Sequence, residues 1–232
     1  MITRSAVVLL ILAVFAGGCG SDKKKTTKTT AKAPATSTTA ATPPTDAAGC
    51  EKIAAPAPRS AGHLKKPSLK LSPNKNATVT LSTNCGNITI TLDVKRAPKT
   101  ASSFAALVKM GFYDNLTFHR ILADFVIQGG DPLGTGQGGP GYNIVEKPPS
   151  NLHYTRGLVA MAKANVDPPG ASGSQFFIVT GQDVGLPPDY ALVGRVTDGL
   201  MSINKIAAEP VSGPEGSPLS PVVITKATLH EG

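Results

Sequence analysis

Two stretches of strict alternation constrain this chain most. In "ATVTLST" (77–83), Ala77, Val79 and Leu81 alternate with polar partners, and in "NITITL" (87–92) Ile88, Ile90 and Leu92 do the same. A period of two belongs to strands buried on one face, and "TNCG" between the stretches predicts a hairpin turn. "APKTASSFAALVKMG" (97–111) then predicts a helix, with Pro98 and Thr100 near its start. Phe104, Leu107 and Val108 share one face, and Gly111 stops it. Short strands are predicted at 116–120, 125–128, 157–162, 175–180, 191–196 and 222–229, with a second helix over 199–207. Many short strands, Gly/Pro turns and only two helices point to a mainly β fold, a closed barrel or sandwich rather than βαβ units.

The 232 residues suit one domain with appendages. Residues 1–18 carry one cation, Arg4, then an apolar run from Ala6 to Ala16 and small residues before Cys19. That run is shorter than the ~20 apolar residues a membrane span needs, and it predicts a signal peptide. "AGGC" (16–19) resembles a bacterial lipobox, which makes Cys19 a lipidation site. Ala16 replaces the usual Leu, so ordinary secretion stays open as the alternative. Residues 19–49 are Thr, Ala, Lys, Ser and Pro without apolar periodicity, the composition of a disordered tether. Residues 50–76 are a linker of low apolar content.

Charge supports that division. Residues 1–70 hold 11 Lys/Arg against 3 Asp/Glu, whereas residues 71–232 hold 12 of each. A nucleic-acid binder would carry its basic face on the domain, so no nucleic-acid partner is expected. Lysines beside Cys19 suit a membrane surface of anionic headgroups. If Cys19 takes lipid, Cys50 and Cys85 remain, either as two free thiols or as a disulfide, which an exported chain favours. Such a bond would staple the linker to the 77–230 domain.

"GTGQGG" (134–139) satisfies G-x-G-x-x-G only formally. Pro140, Pro148 and Pro149 follow where a helix should open, so a flexible loop is expected instead of a nucleotide site. The four histidines, His63, His119, His153 and His230, have no metal-ligand spacing, and neither a metal nor a cofactor is expected. "GASGSQ" (170–175) does not match a serine-hydrolase elbow. By itself, His119 reads as a hydrogen-bonded structural residue. Period two puts Phe118 and Arg120 on one face, Phe125 and Ile127 on one side of the next strand with Val126 and Gln128 on the other, and Gln175 and Phe177 together. A cation, two amides and two phenyl rings make an apolar pocket with a few hydrogen-bonding groups, the usual composition of a small-ligand site.

"FHRILADFVIQGGD" (118–131), led in by "FAALVKMGFYDNLT" and followed by "GSQFFIVT" (173–180), resembles the cyclophilin family of peptidyl-prolyl cis–trans isomerases, over about Ala77 to Leu229. The resemblance implies an eight-stranded antiparallel barrel capped by two helices, monomeric, acting on proline-containing polypeptides. It implies Arg120 and Gln128 as catalytic residues, and Phe125, Val126, Ala162, Gln175, Phe177, Leu186 and Tyr190 as substrate contacts. Val126 stands where the family commonly has Met, Lys163 where many members have Asn, and Tyr190 where a pocket His is usual. The loop "ANVDPPGAS" (164–172) is longer than the common form, and Gly185 replaces a Trp, which weakens any expectation of tight cyclosporin binding. With the leader, this describes an isomerase assisting the folding of exported proteins from the extracytoplasmic side of the cell membrane. A non-catalytic proline-binding chaperone or a surface scaffold lipoprotein is the alternative.

Overall fold

Burial follows the alternation. In β1 (Ala77–Thr83) the buried residues are Ala77, Val79 and Leu81, and in β2 (Gly86–Leu92) they are Ile88, Ile90 and Leu92. The two strands pair antiparallel with Val79 opposite Ile90 and Leu81 opposite Ile88. The computed structural model describes residues 42–60 and 62–232; the predicted signal segment, Cys19 and the tether up to residue 41 lie outside the described residues. After β2 come α1 (Pro98–Lys109), β3 (Leu116–Leu122), β4 (Val126–Gly129), β5 (Ile144–Val145), β6 (Leu158–Met161), β7 (Ala171–Ser172), β8 (Phe176–Val179), β9 (Leu192–Asp198), α2 (Leu200–Ala207), β10 (Val211–Ser212), β11 (Ser217–Pro218) and β12 (Val223–Glu231).

Eight strands close into a barrel in the order β1-β12-β3-β4-β8-β6-β9-β2, with every neighbouring pair antiparallel. Closure removes the unpaired edges that an open sheet would expose. The interior is filled by Val79, Ile88, Ile90, Phe118, Ile127, Phe176 and Ile178, joined by Phe104 and Leu107 of α1 and Ile203 and Ile206 of α2. Phe176 meets Phe104, Tyr113 and Phe118 edge-on, with ring centroids 5.5, 5.5 and 5.9 Å apart, a favoured aromatic geometry.

Other features follow from contacts distant in sequence. No side chain near its own start caps α1. Glu146 does so, accepting the Lys99 and Thr100 N–H groups at 3.1 and 2.7 Å. The pairs β5–β7 and β10–β11 are two residues per strand, too short for any periodicity. Residues 42–49, placed in the tether by composition, form a turn closed by a bridge between Thr45 and Glu51.

The linker lies along the domain as a strap. Cys50 is bonded to Cys85. Further on, the N–H groups of Arg59, Gly62 and Leu64 donate to the carbonyls of Pro132, Gly139 and Pro140, at 2.8, 2.9 and 2.8 Å. The Arg59 guanidinium lies 5.5 Å from the centroid of the Phe112 ring and bonds the Phe112 carbonyl. Leu71 is buried, and its N–H donates to Ser102 Oγ at 3.0 Å. With the strap included, the folded unit 42–232 carries 17 Lys/Arg against 14 Asp/Glu, so it is mildly basic where residues 71–232 alone are neutral.

Candidate active site

The site begins with a bulge. Between β3 and β4, Phe118 pairs with Gly129 and Arg120 with Gln128, so His119 is an extra residue on the β3 side. The bulge reverses the strand's alternation. Phe118 points into the barrel core, whereas Arg120 is half-buried on the outer face, so the expectation of a shared face for these two is corrected. The same row continues across the sheet: Gln128 opposes Phe177 on β8, and Phe177 opposes Ala160 on β6. Directly opposed residues project to the same side. Arg120, Gln128, Phe177 and Ala160 therefore stand side by side on the outside of the barrel.

That outer face has its own apolar cluster, separate from the interior. Val126, Leu152, Tyr154, Leu158, Ala160, Phe177, Val179 and Leu192 form it, flanked by Phe125, Ala162, Val184, Leu186 and Tyr190. Phe125 joins Val126 here and not Ile127, which is in the barrel interior. The reason is the turn at Asp124, whose φ of 56° places Phe125 before the strand, where parity no longer holds. The structure thus brings Phe125, Val126, Ala162, Phe177, Leu186 and Tyr190 into one apolar cluster on the barrel exterior, here called the cup. Gly185 at its rim has a φ of 63° and open space where a side chain would project.

Tyr154 is the residue that sequence reasoning missed. It is fully buried, its ring centroid is 6.1 Å from Phe177 and 5.9 Å from Tyr190, and its hydroxyl donates to the Tyr190 carbonyl at 2.7 Å while accepting the Tyr190 N–H at 3.0 Å. Burial pushes its phenol up to about 12. The Tyr190 ring in turn packs edge-on to Phe177 at 5.4 Å. Only its position 36 residues before Tyr190 was visible in sequence, and no local motif marks that pairing.

The amides are organised as a chain. Gln128 Nε2 donates to Gln175 Oε1 at 3.0 Å, and Gln175 Nε2 donates to the carbonyls of Gly136 and Gly138 at 2.9 and 2.8 Å. Both N–H bonds of Gln175 are thereby used, which fixes the orientation of its amide. Gln128 Oε1 has no hydrogen-bond partner among the described residues and is free to receive a ligand. The 134–139 segment was expected to be a flexible loop. Instead it is held from both sides, by the Asp131 carboxylate, which accepts the N–H groups of Leu133, Thr135 and Gly136, and by the strap at Gly139. A Cβ at Gly138 would collide with Asp131 Oδ1, so glycine is required there for close approach.

Arg120 is available. Its Nε lies 3.9 Å from Glu215 Oε2, at the outer limit of an ion pair, and the Glu215 side chain is 84% exposed. So exposed a pair is worth at most ~1 kcal/mol, and the guanidinium makes no hydrogen bond among the described residues. Glu215 sits in the β10–β11 hairpin, which sequence periodicity could not detect. His119 differs from its expectation: neither ring nitrogen has a hydrogen-bond partner among the described residues. Burial lowers its pKa, with the Arg120 charge adding to that and Asp131 opposing it. Its half-buried imidazole lies at the bulge. No group of three His, Cys, Asp or Glu among the described residues is placed to hold a metal.

A family model described as "Cyclophilin type peptidyl-prolyl cis-trans isomerase/CLD" matches residues 78–229. Peptidyl-prolyl cis-trans isomerase cypE of Dictyostelium discoideum is 39% identical over 157 residues, covering 66% of this chain and 97% of that protein. Peptidyl-prolyl cis-trans isomerase A of Mycobacterium tuberculosis is 38% identical over 176 residues, covering 68% of this chain and 94% of that protein. A crystal structure of a cyclophilin type isomerase from Cryptosporidium parvum, obtained in the presence of the dipeptide Ala-Pro, superposes with a TM-score of 0.62 at 33% identity. It covers 67% of this chain and 99% of that one.

Proposed function

The chain belongs to the cyclophilin-type peptidyl-prolyl cis–trans isomerases and is an enzyme of that activity, and from this premise we propose that it turns X–Pro bonds of exported polypeptides at the outer side of the cell membrane. One observation carries the catalytic part: Arg120, Gln128 and Phe177 occupy opposed positions on three adjacent strands, beside an apolar cup on the barrel exterior.

Rotation about a prolyl amide breaks no covalent bond, so no nucleophile, base or metal is required. The obstacle is amide resonance, a barrier of about 18–20 kcal/mol, and uncatalysed exchange takes tens to hundreds of seconds. Phe125, Val126, Phe177, Leu186 and Tyr190 hold the pyrrolidine ring. Arg120 donates toward the prolyl nitrogen, whose lone pair becomes an acceptor once twisted out of conjugation. Gln128, oriented through Gln175, and backbone groups near Ala162 hold the neighbouring peptide. Interactions that strengthen only as the bond twists are those that accelerate the reaction, and ~7 kcal/mol of such stabilisation gives roughly 10⁵-fold.

The export part rests on the leader and on composition: a short apolar run, "AGGC" ending at Cys19, and a lysine- and threonine-rich tether. A cystine between Cys50 and Cys85 fits an oxidising compartment. Two measurements test the reading. In a protease-coupled proline-peptide assay, Arg120→Ala is expected to keep the fold and lose about 10²-fold in turnover, the scale for removing one transition-state donor. Near-wild-type activity would remove Arg120 from the mechanism. Mass spectrometry of the mature N-terminus is expected to find a lipid-modified Cys19; an unmodified terminus after cleavage would make the protein secreted.

A further inference from the structure

Lys163 is a cation beside the cup that the isomerase mechanism leaves unused. It follows Ala162, whose N–H donates to the Gln175 carbonyl at 2.8 Å. Its ammonium donates to the carbonyls of Ala164 and Asp167 at 3.4 and 3.2 Å, and lies 5.5 Å from the centroid of the Tyr190 ring. Its loop carbonyls and the Tyr190 ring thus set where this charge lies. Two of its three N–H bonds are taken by carbonyls, leaving one for a ligand.

It also lines two hollows that it shares with Gln128. A hollow of about 330 Å³ is lined by Gln128, Gly136, Gly138, Ala162, Lys163 and Gln175, and a neighbouring one of about 580 Å³ by Arg120, Gln128, Lys163 and Glu215. Lys163 and Gln128 line both. Each hollow also holds an acid that Lys163 does not pair with: Asp167, whose Oδ2 accepts the Ala164 N–H at 3.0 Å, and the exposed Glu215, loosely opposite Arg120. No carboxylate lies within ion-pair distance of Lys163 among the described residues.

We propose that Lys163 determines substrate preference, selecting polypeptides with a carboxylate side chain close to the X–Pro bond. The proposal rests on the isomerase reading and adds the charge of its substrates. A single partly screened pair at this depth is worth about five-fold in kcat/KM, equal to ~1 kcal/mol.

The test uses a neutral parent peptide and two series, with Glu or Lys placed in turn at one to three residues on either side of the X–Pro unit. For the full chain, Glu is expected to exceed Lys in kcat/KM by about five-fold at one of these positions, mainly through KM. That ratio is expected to fall toward one in Lys163→Gln and to invert in Lys163→Glu. It should also shrink between 0.05 and 1 M salt, where the screening length contracts to ~3 Å. A ratio equal in wild type and Lys163→Gln at every position overturns the proposal. Failure to turn over any peptide, the neutral parent included, would instead sink the isomerase reading, and Kd values for the same peptides would then still decide whether Lys163 selects acids.

Discussion

Replacing Tyr154 with Phe tests the claim that the cup is shaped from behind. The substitution keeps the ring, and so keeps the contacts with Phe177 and Tyr190, but removes an oxygen that serves both backbone groups of Tyr190. Two hydrogen bonds are lost at ~0.5–1.5 kcal/mol each, and the Tyr190 N–H and carbonyl are left without their partner. Because Tyr190 is only half-buried, water can compensate part of this, and about 2 kcal/mol is expected. For a unit of this size that lowers Tm by roughly 4–8 °C. Urea unfolding reads the stability, and KM for a proline peptide, expected to rise several-fold, reads the displaced wall. There is also a pH signature. The folded phenol ionises near 12, well above the ordinary tyrosine value of 10.0. The unfolded chain therefore loses this proton first as pH rises, and the stability held by Tyr154 is intact below pH ~10 and lost between there and ~12. Tyr154→Phe should remove that alkaline slope. Stability within ~0.5 kcal/mol of wild type with an unchanged KM would refute the reasoning, placing Tyr190 by ring packing alone.

Two further perturbations follow from the fold. Changing Cys50 and Cys85 together to Ser should cost about 4 kcal/mol in urea unfolding, the chain-entropy value for the separation of 35 residues, and should speed amide exchange at Arg59, Gly62 and Leu64; a loss under ~1 kcal/mol would show that the strap docks without its staple. His119, whose pKa burial lowers from 6.5, resists the proton that the unfolded chain takes up, so stability should hold above pH ~6.5 and decline as pH falls below it. Unfolding midpoints at pH 7.5 and 5 measure this, and His119→Gln should flatten the acid limb; an unchanged limb would assign it to other groups.

Local pattern carries information wherever a residue's neighbours in space are also its neighbours in sequence. Alternation in 77–92 fixes which side chains fill the barrel, because a pleated strand presents every second residue to one face. The helix over 98–109 is equally legible from Phe104, Leu107 and Val108. Even the outward pairing of Val126 with Gln128 follows from strand parity.

Parity fails where the backbone breaks it. The bulge at His119 and the turn at Asp124 each shift the count by one, and those shifts send Arg120 and Phe125 to the exterior cup. Neither has a period to reveal it. Other decisions came from partners far along the chain: Glu146 capping α1, Tyr154 holding Tyr190, and the strap securing the glycine loop that orients Gln175. Short-range sterics and burial periodicity made the eight barrel strands, the two helices and the chemical groups legible in the sequence, but not the two-residue pairs β5–β7 and β10–β11. Only the closed barrel decided which groups face one another and which remain free, because those contacts depend on register and closure between segments that local preference does not connect.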